Sequence, residues 1–139
     1  LEDVNVVNGT PDCSKYKSLI VDDDMLDLKV AKRLLEKYNF QIYTLNSPKE
    51  CIKKIKAEEE FDIIFIDHKM QEMDGVEVMK VLRLLETYKI PRLVMLTANA
   101  MPGMKEHYIK EGFDEYLSKP IDVKELDKVI KRFYRSKNQ

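Results

Sequence analysis

The chain has 139 residues, 44% hydrophobic and 35% charged, with 24 Lys and Arg against 25 Asp and Glu. At this length one domain of roughly 150 residues is the default, and such a chain buries about two-thirds of its unfolded surface without help from disulfides or a structural metal. The composition excludes a disordered polymer, and a formal net charge of -1 leaves no global basic field for direct nucleic-acid binding.

The longest apolar runs, such as Ile63 to Ile66, are four residues long. A membrane helix needs about 20, so no membrane segment is expected. The first residues lack both the basic start and the apolar stretch of a secretory signal. Cys13 and Cys51 are too few for a disulfide framework or a zinc site and fit a cytoplasmic location. Leu1 is not a start methionine, which reads as excision from a longer chain.

Residues 1–15, rich in Asn, Gly, Thr, Pro, Asp and Ser, read as a linker or tail. The domain is expected over residues 16–136, with 137–139 a C-terminal tail. Ser18 to Val21 forms a short buried strand ending in Asp22, Asp23 and Asp24. Leu28, Ala31, Leu35 and Tyr38 then share one helical face. Gln41 to Leu45 is a second strand, and Ser47, Pro48 and Glu50 open a helix burying Ile52 and Ile55. Asp62 to Asp67 is the most apolar strand and should be central. Asp74 and Gly75 start a helix with Val78, Leu82 and Leu85 inward. Arg92 to Thr97 is the fourth strand, and Pro102 to Glu111 is a more polar helix stopped by Gly112. Glu115 to Ser118 is the fifth strand. Asp122 and Glu125 cap a last amphipathic helix that buries Leu126, Val129, Ile130 and Phe133.

Strands that alternate with helices predict an α/β fold, a doubly wound five-stranded parallel sheet with helices on both faces. Ligands of such sheets gather at the carboxyl ends of the strands. There the chain places Asp22 and Asp23, Asp67, Thr97, and Lys119 with Pro120. Singly, each is an ordinary helix cap or surface residue. Together they are costly: two carboxylates about 4 Å apart repel by about 4 kcal/mol at an effective dielectric of 20. An all-oxygen cluster suits a hard divalent cation, Mg²⁺ above all. His68 alternates to the other face of its strand and is read as a non-ligand, and His107 as an exposed helix residue. A cation held by Asp23 and Asp67, with Lys119 and Thr97 nearby, makes a phosphoryl site in which a carboxylate attacks phosphorus to give an aspartyl phosphate.

VDDD after the first strand, D-H-K-M-Q-E-M-D-G after the third, T-A-N-A-M after the fourth and Y-L-S-K-P after the fifth resemble the response-regulator receiver domain of two-component signalling. The likeness covers about Tyr16 to Tyr134 and is strongest to the C-terminal receiver of hybrid histidine kinases. The resemblance implies a flavodoxin-like sheet of order 2-1-3-4-5. It implies Asp67 as phosphoacceptor, Asp23 as a direct Mg²⁺ ligand, Asp22 as a ligand through water, and the backbone carbonyl of Lys69 as the third protein ligand. Thr97 and Ala98 become the switch hydroxyl and its small neighbour, Lys119 the phosphate-pairing lysine, Pro120 the residue after a cis bond, and Tyr116 the switch aromatic. Gly75 belongs to the same pattern as a structural residue.

Asp24 and Asp74 read as caps, and Met70 and Met73 as packing residues. Gln71 stands where the family often has proline, which predicts a less rigid loop. Lys69 and Asn99 are expected to tune the phosphoryl lifetime by governing water access. The implied phosphodonor is a histidine kinase or a histidine phosphotransfer domain, and the domain would catalyse its own phosphorylation and dephosphorylation. Phosphorylation should switch the surface around the fourth helix, fifth strand and fifth helix. Two other readings stay open: a Mg²⁺-dependent phosphohydrolase of the haloacid-dehalogenase type, which wants an aspartate where Lys69 stands, and a degenerate receiver acting as a binding module.

Overall fold

The computed structural model describes Val6, Val7 and residues 9–85, 91–99 and 101–139. Parts of the expected linker, residues 1–5 and 8, and Ala100 of the T-A-N-A-M motif lie outside the described residues. Five strands form one parallel sheet: β1 (Lys17–Val21), β2 (Gln41–Leu45), β3 (Ile63–Asp67), β4 (Arg92–Thr97) and β5 (Glu115–Ser118). Their order is 2-1-3-4-5, as expected, with β3 in the middle and all five of its residues buried.

Period-two alternation divides the core between two faces. Ile63 and Phe65 point to one face, where they meet Leu28, Ala31 and Leu35 of α1 (Met25–Leu35) and Leu126, Val129, Ile130 and Phe133 of α5 (Val123–Lys137). Ile64 and Ile66 point to the other, against Cys51 and Ile55 of α2 (Pro48–Lys56), Val78, Met79 and Leu82 of α3 (Gly75–Leu84) and Tyr108 of α4 (Met104–Glu111). Met70 and Met73 pack against this second cluster, as expected.

The helix starts follow their caps. Asp24 accepts from the N–H groups of Leu26 and Asp27, Ser47 from Glu50, Asp74 from Glu77, and Asp122 from Lys124 and Glu125. These contacts satisfy donors that a helix start would otherwise leave unpaired. The fourth helix departs from expectation. It begins at Met104, two residues after Pro102, because Gly103 takes a left-handed conformation (φ 86°) and supplies no capping side chain.

Both ends of the domain also pack beyond the expected boundaries. Cys13, inside the segment read as a linker, is fully buried, and its N–H donates to the Tyr38 carbonyl at 2.7 Å. Just before it, Thr10–Pro11 pairs antiparallel with Val6–Val7. At the other end α5 runs through Lys137, which pairs with Asp62 at 3.2 Å. The apolar Cys13 and the long stem of Lys137 cover ends of the core that the polar composition of these segments conceals.

Candidate functional site

Three cross-strand hydrogen bonds fix the backbone where the strands end. The N–H of Asp22 donates to the Leu45 carbonyl at 3.1 Å, that of His68 to Leu96 at 2.8 Å, and that of Lys119 to Thr97 at 2.8 Å. In the sheet register Asp67 faces Leu96 and Thr97 faces Ser118. Asp22, Asp67, Thr97 and Lys119 therefore stand side by side along one edge. Lys119–Pro120 is a cis peptide.

Carboxylate oxygens of Asp22, Asp23 and Asp67 all lie within 4.8 Å of one another. Asp22 and Asp67 are buried, and Asp23 is the most open of the three. The Lys119 ammonium donates to Asp22 Oδ2 at 2.6 Å, Asp67 Oδ1 at 2.7 Å and Asp27 Oδ2 at 2.9 Å. Burial, helped by the charges of Asp22 and Asp23, pushes the Asp67 carboxyl up to about 6 against the opposing pull of Lys119. Burial also raises Asp22, again opposed by Lys119. Burial alone would lower Lys119, but its hydrogen bonds to Asp22, Asp67 and Asp27 outweigh that and hold it protonated. Three carboxylates share one ammonium and Asp23 stands beside them, so about three negative charges stay uncompensated when all four are ionised. That donor set fits a hard divalent cation.

Thr97 is buried, and its Oγ1 accepts the Asn99 N–H at 3.0 Å. Ala98 beside it is exposed. The Tyr116 hydroxyl donates to the Asn99 carbonyl at 3.1 Å, so both switch candidates converge on one residue. Lys69 is exposed beyond Asp67. Gly75 sits where α3 meets the sheet: its N–H donates to the His68 carbonyl at 2.9 Å, and a Cβ there would collide with the Asp67 carbonyl oxygen. Asp24 and Asp74 cap helices, as expected. Gln71, read as loosening its loop, donates its N–H to Asp23 Oδ2 at 2.9 Å, a tether that proline lacks the hydrogen to make.

Two participants escaped the sequence reading. Asp27 lies in the first turn of α1, and its side chain reaches back over the strand ends to Lys119. Tyr108 is buried, shares a hydrogen bond with His68 Nδ1 at 3.0 Å and stacks on Tyr116 with ring centroids 5.6 Å apart. His68 thus turns away from the carboxylates toward α4, and burial followed by the charge of Lys69 lowers its pKa. His107 is exposed, as expected.

Sheet order and acidic edge together define a receiver-type α/β domain. The model of the response regulator receiver domain matches residues 18–131, and the chain belongs to that family: it is a receiver domain of two-component signalling. Histidine kinase 3 of Arabidopsis thaliana is 32% identical over 86% of the chain, and hybrid signal transduction histidine kinase M of Dictyostelium discoideum is 32% identical over 87%. The chain spans only 14% and 5% of their respective lengths. Among solved structures, the Francisella response regulator 1452 receiver domain aligns with TM-score 0.76 and 28% identity over 88% of this chain and 98% of that one. The chemotaxis response regulator CheY4 of Vibrio cholerae aligns with TM-score 0.74 and 28% identity over 85% and 98%. With the family shown, the phosphohydrolase reading falls away. Among the described residues, no helix is long and apolar enough to cross a membrane.

Proposed function

We propose that the domain accepts a phosphoryl group on Asp67, from a phosphohistidine of a histidine kinase or a histidine phosphotransfer domain, in a Mg²⁺-dependent reaction in the cytoplasm. The observation that carries this reading is the convergence of the Asp22, Asp23 and Asp67 oxygens within 4.8 Å, with the Lys119 ammonium 2.7 Å from Asp67. Asp23 and Asp67 would hold Mg²⁺ directly, with the Lys69 carbonyl as the third protein ligand and Asp22 acting through water. The ion would supply neutralisation of phosphoryl oxygens and of the carboxylate crowding.

An Asp67 carboxylate oxygen attacks phosphorus. The new O–P bond forms as the P–N bond to histidine breaks, and the imidazole leaves with the electron pair and takes up a proton. Lys119 and the Thr97 hydroxyl meet the phosphoryl oxygens, and Ala98 leaves room for them. Rotating the Thr97 side chain toward phosphate moves the Oγ1 that accepts the Asn99 N–H. That disturbs the residue to which Tyr116 is bonded and, through the Tyr108 stack, the surface of α4, β5 and α5. Lys69 and Asn99, at the mouth of the site, govern water access and thus the phosphoryl lifetime. Its likeness to histidine kinases supports reading the receiver unit, residues 16–136 by the sequence reading, as one excised from a hybrid histidine kinase, with a lone receiver as the alternative.

Incubation with acetyl phosphate and Mg²⁺ tests the reading. A stoichiometric, acid-stable, base-labile adduct on Asp67, lost in Asp67→Asn, is expected. Absence of any adduct would leave a binding module instead.

A further inference from the structure

Asp27 is the one carboxylate on Lys119 that stands outside the strand ends. An ammonium has three N–H donors, and here carboxylates take all three, at 2.6, 2.7 and 2.9 Å. A phosphoryl oxygen that binds Lys119 must displace one of them. Asp22 is buried and also accepts the Asp24 N–H at 3.0 Å, so it is held in place. Asp67 would carry the phosphoryl group. Asp27 makes the longest of the three bonds, and its side chain is 45% exposed, so water can solvate it once it lets go. Its backbone stays fixed by the bond from its N–H to Asp24 Oδ1 at 3.1 Å.

We propose that Asp27 is a positioning residue that holds Lys119 in reserve, occupying one ammonium donor in the resting site and yielding it to an incoming phosphoryl oxygen. The inference rests on the phosphoacceptor reading of Asp67. Its consequence is a division of sign. The negative charge of Asp27 favours a cation in the site, whereas the same charge, together with its claim on Lys119, disfavours an anion.

The test uses the full chain with Asp27→Asn and the charge-retaining Asp27→Glu, titrated calorimetrically with Mg²⁺ alone and then with beryllofluoride at saturating Mg²⁺. Asp27→Asn is expected to weaken Mg²⁺ binding and to tighten beryllofluoride binding, each by about two- to fivefold for a half-exposed charge. Asp27→Glu should stay near the parent in both. A merely structural role would weaken both ligands together. That result, or any other pattern than opposite shifts, overturns the proposal. Failure of the parent chain to bind either ligand would instead overturn the phosphoacceptor reading, and this inference with it.

Discussion

Replacing Asp67 by asparagine should stabilise the fold, although it removes a partner of Lys119. Burial holds this carboxyl at about 6 against an ordinary 3.8. At about 1.4 kcal/mol per tenfold change in proton affinity, ionising it in the folded state costs about 3 kcal/mol at pH 7. Between these two values the folded chain keeps a proton that the unfolded chain has released. Stability therefore falls as pH rises through that window, and the full cost is present above it. Asparagine is close in shape to the protonated carboxyl and does not ionise. Asp67→Asn should accordingly be more stable than the parent by about 3 kcal/mol at pH 7.5, narrowing to about 1 kcal/mol at pH 4.5. Urea denaturation of both proteins in chelator, at a series of pH values, measures the gap directly. A parent at least as stable as the variant at pH 7.5, or a gap that does not narrow toward pH 4.5, would refute the reasoning.

Lys119→Met leaves Asp22 and Asp67 without their shared ammonium; a loss of about 3–5 kcal/mol at neutral pH is expected by denaturation, with Asp67 titrating still higher by carboxyl NMR. Gly75→Ala drives a Cβ into the Asp67 carbonyl oxygen and should cost about 1–3 kcal/mol by the same measurement. Tyr108→Phe keeps the buried ring but loses the hydrogen bond to His68; a drop of about 1 kcal/mol in the urea-derived stability is expected, and no drop would mean that water replaces the hydroxyl.

Much of this arrangement is legible in the sequence because its signals are local. The uninterrupted apolar run Ile63 to Ile66 marks a strand buried on both faces, and Asp24, Ser47, Asp74 and Asp122 mark four helix starts to the residue. The strand-end carboxylates are readable because a parallel sheet brings all carboxyl ends to one edge. What stays hidden depends on side chains crossing between elements. Asp27 and Lys119 are far apart in the chain, and only the tilt of an α1 side chain toward its own N-terminus joins them. Tyr108 lies in a helix whose other residues are mostly exposed, so nothing local marks it as buried against His68. Cys13 sits among turn-forming residues, and its burial depends on Tyr38, well beyond it in sequence.

The contrast with Glu115 shows that the strand-end charge imbalance is not a general tolerance of this core for buried acids. Glu115 is buried at the opposite end of the sheet, and Arg132 grips both its oxygens, at 2.7 and 2.9 Å. One acid there has a two-pronged cation of its own. At the strand ends, three acids divide a single ammonium with Asp23 beside them, and cross-strand hydrogen bonds at Asp22, His68 and Lys119 limit how far the backbone can relax to separate them. A sheet that completes the charge at one end could do so at the other by the same means. Among the described residues, the strand ends are where three carboxylates crowd together, so there a divalent cation, if bound as proposed, would offset the crowding. At Glu115 the same cation would find its acid already satisfied.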